Sequence, residues 1–145
     1  MSVVNTAIAQ IATQWEALTP PDRAAVRYHE VDGRKSNLRG SSADRLFEFD
    51  LPVRQEPVGQ SHSSTTVQWA TTARVRLSQA GRSGQALRVA AADEAQALTR
   101  SVELTSVWPL GVVEVLTEAA NPTQDSDRDD VTLEIGLLIT TFEGS

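Results

Sequence analysis

The chain has no cysteine, which excludes disulfides and thiolate metal sites and leaves packing or oligomerisation to stabilise the fold. Its two histidines, His29 and His62, are too few for a histidine-rich metal centre. No run approaches the roughly 20 apolar residues of a membrane span. Met1 to Gln10 lacks the basic and apolar regions of a secretion signal. The expectation is a soluble protein made in the cytosol, without a membrane partner. Catalytic signatures are missing too. His29 and Glu30 are neighbours on a predicted strand and point to opposite faces, and no nucleophile motif accompanies them. Gly81-Arg82-Ser83-Gly84 lacks the longer glycine pattern and lysine of a phosphate loop. Residue chemistry therefore assigns no catalytic residue, no cofactor and no metal, and an enzyme is not expected.

What is present is a chain of 145 residues, enough for one domain around a single core. Its net charge of -6 is unevenly spread. Residues 22–88 carry 11 basic and 7 acidic side chains, whereas residues 89–145 carry 2 basic and 11 acidic. A basic middle and an acidic end suit head-to-tail stacking or meeting unlike partners, provided the two do not mingle in space. Arg34, Lys35, Arg39, Arg74, Arg76 and Arg82 could contact phosphate backbones without reading sequence. Overall acidity argues against a free-standing nucleic-acid binder.

Hydrophobic periodicity supplies the architecture. Ser2 can cap a helix in which Val4, Ile8, Ile11, Trp15 and Leu18 recur at spacings of three and four, before Thr19-Pro20-Pro21 stops it. Trp15 reads as a core or edge anchor. Ala24 to Val31, Arg45 to Val53 and Thr65 to Leu77 alternate as strands, the second placing Phe47, Phe49 and Leu51 on one face. A second helix follows through about Val102, with Leu87, Ala91, Ala95, Leu98 and Val102 as its apolar stripe. Val112 to Glu118 then pairs by hairpin with the long alternating segment Val131 to Phe142. The predicted fold is a single α+β domain over 1–145: a mixed or antiparallel β-sheet, two helices packed on one face and a long C-terminal β-hairpin. Flexible loops are expected at about 33–44, 57–64 and 119–130.

Two features invite a closer reading. Asp125-Ser126-Asp127-Arg128-Asp129-Asp130 matches the first, third and fifth ligand positions of a calcium loop. It then fails, with Asp130 at the glycine position and Gly136 where the bidentate glutamate belongs. A solvated hairpin tip is the default. The last strand carries Val131, Leu133, Ile135, Leu137, Ile139 and Thr141 on one face, with Leu138 on the other. Such a strand suits a sheet shared between subunits.

The order of elements, closed by a hairpin that Trp108-Pro109-Leu110-Gly111 introduces, resembles the tail terminator (tail completion) proteins of long-tailed bacteriophages. The resemblance implies a structural virion protein of the tail and neck, assembled in the host cytoplasm. It would form a homo-oligomer, a hexameric ring at the head-proximal end of the tail tube. That ring would end tube polymerisation and provide the attachment surface for the head. Implied partners are the tail tube protein, neck or connector proteins and the sheath, with non-specific proximity to passing DNA. On this reading Leu133, Ile135, Leu137, Ile139 and Thr141 are subunit-interface candidates, and Arg34, Lys35 and Arg39 lie on a loop facing the lumen or tube. Asp125, Asp127, Asp129 and Asp130 form a tip facing a partner. A head-to-tail connector or head-completion protein of the neck is the alternative, and a small ligand-binding or enzymatic α+β domain is the rival from another class.

Overall fold

The computed structural model describes residues 2–18, 28–30, 45–55, 66–77, 84–125 and 130–142. They form helix α1 (Val3–Glu16), strands β1 (His29–Glu30), β2 (Arg45–Phe49), β3 (Val53–Arg54) and β4 (Thr66–Leu77), helix α2 (Gly84–Glu103), and the hairpin strands β5 (Val112–Asp125) and β6 (Asp130–Phe142). The strands make one sheet in the order β1-β2-β4-β6-β5, with β3 also on β4. All pairings are antiparallel except β1 with β2, which is parallel. This is the predicted α+β class with its two helices.

Each helix forms for reasons visible locally. The Ser2 side chain accepts a hydrogen bond from the Asn5 N–H and so satisfies one of the orphan donors at the start of α1. Val4, Ala7, Ile11, Ala12 and Trp15 then recur on one buried face. Among the described side chains of α2 the buried positions are Ala90, Ala91, Glu94, Leu98 and Val102. The small side chains let this helix approach the sheet closely.

Both helices cover the same face of the sheet. Beneath them lie Ala73, Val75 and Leu77 of β4 and Val131, Leu133, Ile135, Leu137 and Ile139 of β6, all in one core cluster. Each large aliphatic side chain removed from water contributes roughly 1.5–3 kcal/mol. Trp15 joins three elements at the centre. It is fully buried, meets Phe47 edge-on at 5.4 Å between centroids, stacks on Phe49 at 5.5 Å, and donates its indole N–H to the Leu98 carbonyl of α2. The anchor reading of Trp15 therefore holds.

The elements depart from the sequence reading in two places. The strand expected over Arg45–Val53 is broken: β2 ends at Phe49, and the Asp50 N–H reaches back to the Thr72 carbonyl while Thr71 Oγ1 donates to the Asp50 carbonyl. The alternation is lost at that break. Leu51, expected beside Phe47 and Phe49, is 87% exposed. Second, β5 continues to Asp125, so most of the loop expected at 119–130 is strand. The sequence hid this because β5 shifts register between Thr117 and Ala120, which breaks period two. Gly136 accommodates that irregularity, since a Cβ there would lie 3.1 Å from Glu118 Cβ. The two parts of the broken strand, β2 and β3, lie one after the other along one side of β4. The expected loops at 33–44 and 57–64 lie wholly outside the described residues.

Candidate assembly surfaces

The residues expected at a subunit interface are already in use inside the subunit. Leu133, Ile135, Leu137, Ile139 and Thr141 are all 4% exposed or less. The helices α1 and α2 cover their face, and β6 is hydrogen-bonded along both sides, to β4 and to β5. Neither these inward side chains nor the backbone of β6 can meet a neighbouring subunit without opening the core or the sheet. Alternation correctly identified a buried face. It could not say that the chain's own helices bury it.

Arg34, Lys35, Arg39, Asp127 and Asp129 lie outside the described residues. Asp125 and Asp130 are the last pair of the hairpin ladder, facing each other where β5 ends and β6 begins.

Surface apolar side chains collect in two other places. The first is the end of the molecule where α2 hands over to β5. Leu104, Val107 and Leu110 of that connection are 69%, 76% and 99% exposed, and Phe142 at the end of β6 is 53% exposed. The local geometry fixes this end firmly. The Val112 N–H donates to the Pro109 carbonyl, with Gly111 at φ +95° in the third position of the turn, as a type II turn requires. The Phe142 N–H donates to the Gly111 carbonyl, Gln10 Nε2 donates to the Val107 carbonyl, and Gln14 Nε2 donates to Thr105 Oγ1. Leu110 sits at the turn's apex with its side chain in water. This apolar end and the Asp125–Asp130 pair are separated by the length of β6, roughly 40 Å at about 3.3 Å per residue.

The second place is the sheet face that lacks helices. Strand pairing aligns Leu116 with Leu138, Leu138 with Ala70, and Ala70 with Val53. Directly opposed residues share a face, so these four form an apolar row crossing the sheet from β5 to β3. Leu116 at one rim is 47% exposed and Val53 at the other is 60% exposed. A charged row runs parallel to it, aligning Glu134, Arg74 and Glu48. Asp50 forms an ion pair with Arg74, and the hydrogen bond it accepts raises the pKa of the guanidinium.

A buried polar contact also escaped the sequence reading. Tyr28 donates from its hydroxyl to Glu94 Oε1 at 2.5 Å, tying the start of β1 to α2, and Glu94 is fully buried. The signal was available: position 94 lies three after Ala91 and four before Leu98, on the helix's buried stripe. Between α2 and the hairpin lies a cleft of about 440 Å³, with Ala91, Ala95, Pro122 and Leu133 in its walls and Arg88 beside them. Among the described residues, no helix is long and apolar enough to cross a membrane, and no group of three or more His, Asp or Glu could hold a metal ion. No protein-family model matches the chain, and the comparison with curated proteins gives no match.

Proposed function

We propose that this chain is a structural subunit of a phage-type tail, a tail terminator that assembles as a ring at the head-proximal end of the tail tube and presents a surface to the neck. The observation that carries the assembly reading is the pair of exposed apolar surfaces on a subunit whose core is already closed. Exposed large hydrophobics gathered in patches mark sites that another protein covers. The apolar end and the Asp125–Asp130 pair lie at opposite ends of β6, which would give a ring two chemically distinct rims, one to seat on a tube and one to meet a different partner. The more specific identity rests on the resemblance in element order: helix, strands, helix and closing hairpin. A neck connector is the alternative within the same class.

The test is end-capping. Purified protein is mixed with isolated tail tubes of the particle encoded alongside it, and with tube subunits that are still polymerising. A terminator binds one end of each tube in electron micrographs and arrests elongation. Tubes that lengthen unchanged and show no density at either end overturn the reading.

The cleft beside α2 favours a second reading, a small-molecule site for an apolar ligand carrying an anionic group near Arg88. Binding to the folded state would raise the melting temperature. A medium-chain carboxylate that does so with saturating dependence, while the protein ignores tubes, would support that reading over the first.

A further inference from the structure

We infer that free subunits join head to tail, with the apolar end of one copy, headed by Leu110, seated in the cleft between α2 and the hairpin of a second copy. The contact goes beyond the terminator reading and stands without it. Where the two meet, they compete for the same end of the molecule.

The projecting half is written in a stretch without charge. Residues 104–113, LTSVWPLGVV, hold no ionisable side chain, and Leu104, Val107 and Leu110 are exposed. The turn that carries Leu110 is held by the hydrogen bond from the Val112 N–H to the Pro109 carbonyl and by that from the Phe142 N–H to the Gly111 carbonyl. A turn fixed in this way loses little conformational freedom when it docks. Its exposed leucine gains the full free energy of burial from any partner that covers it.

The receiving half comes from incomplete packing of α2 on the hairpin. Past the register shift between Thr117 and Ala120, β5 bends as bulged strands do. The helix meets it there with Ala91, Ala92 and Ala95, whose side chains are too short to fill the space. What remains is the cleft of about 440 Å³, lined also by Ala120, Pro122 and Leu133. That volume falls within the roughly 300–1,000 Å³ of sites that enclose a ligand-sized group, and it has room for the Leu110 side chain with part of its turn.

Distance and charge identify the occupant as a second copy. Pro122 pairs with Leu133 and Val112 with Thr141, so roughly 25 Å of β6, at about 3.3 Å per residue, separates the cleft from the apolar end of the same subunit. Leu110 therefore cannot reach its own cleft. Arg88 is the charged residue in the cleft's described lining, whereas Glu103 and Glu114, both exposed, bracket the uncharged end. Two apolar ends in contact would set acid against acid, and entry into the cleft instead brings these carboxylates toward Arg88. Each dimer keeps one free end and one free cleft, so further copies add head to tail. An end seated in a cleft is withdrawn from a tube, and a tube end draws it back.

The test compares wild-type protein with Leu110→Lys, which charges the projecting end, and Ala95→Phe, which fills the cleft. Sedimentation velocity across a concentration series, thermal melting and tube capping are measured for each. Both variants are expected to weaken self-association by roughly tenfold or more with unchanged melting; Leu110→Lys also loses tube capping, and Ala95→Phe keeps it. Folded variants that associate as wild type does contradict the inference. The absence of cysteine allows a second measure that needs no core change. Leu110→Cys and Ala92→Cys are oxidised alone and as an equimolar mixture, and the mixture is expected to give one cross-linked dimer. A Leu110→Cys variant that cross-links to itself as readily would overturn the cleft contact in favour of an end-to-end one. Wild-type protein that caps tubes but stays monomeric at every concentration would overturn the contact and leave the terminator reading standing. Wild-type protein that associates as described yet ignores tubes would support the contact and overturn the terminator reading.

Discussion

The two faces of β6 carry different duties. Toward the helices, Val131, Leu133, Ile135, Leu137 and Ile139 are almost wholly buried, while Thr132, Glu134, Gly136 and Leu138 on the other face are half-buried. One face holds the subunit together, and the other, with the rims of the sheet, offers surface to another molecule. Substitutions on the two faces should therefore separate folding from assembly.

The sharpest break comes from placing the same charge on each side. Leu137→Asp puts a carboxylate into the apolar core beneath the helices. Its desolvation costs on the order of 5 kcal/mol or more, comparable with the whole stability of a domain, and circular dichroism should show no cooperative melting transition. Leu116→Asp at the exposed rim should fold with stability altered by only about 0.5 kcal/mol, yet leave tube ends uncapped in electron micrographs. A monomeric, well-folded Leu137→Asp would erase the distinction.

Truncating the centre of the core tests the same division without charge. Trp15→Ala removes the ring that links α1, α2 and β2, and a loss of about 3–5 kcal/mol in denaturant titration is expected. The ion pair on the open face should matter far less. Asp50 and Arg74 are each more than a third exposed at the side chain, so Asp50→Asn should cost at most about 1 kcal/mol, and that loss should vanish in high salt. A large, salt-insensitive loss would show that the open face is part of the core.

The smallest expected effect concerns acid. Burial raises the pKa of Glu30, with Glu16 adding repulsion. A carboxyl whose folded pKa lies above its unfolded value favours folding below the unfolded pKa, and this contribution is lost as pH rises through the folded pKa. Glu30→Gln should raise the melting temperature slightly at neutral pH, with no gain at acid pH. A gain confined to acid pH would reverse the sign and refute this assignment.

Much of the fold was legible because periodicity reports burial. The helical stripe through Trp15 and the alternation of β4 and β6 each identified the inward face correctly. What alternation cannot report is the identity of the covering element, so Leu133 to Thr141 read as an interface while α1 and α2 were the true cover. The bulges of β5 concealed the length of the hairpin by interrupting period two, and the break at Asp50 exposed Leu51 for the same reason. The rim-to-rim apolar row was beyond reach of the sequence, since Leu116, Leu138, Ala70 and Val53 become neighbours only once the register of four strands is fixed. The basic candidates Arg34, Lys35 and Arg39 were legible as a cluster, without a geometry to assign them a partner.

The most direct test of the central claim is the native mass of the wild-type protein across a concentration series, alone and with isolated tail tubes, with negative-stain imaging of the large species. The account predicts a discrete ring of several copies, formed in free solution or at one end of each tube. A protein that stays monomeric under both conditions, leaving the tube ends bare, would contradict it.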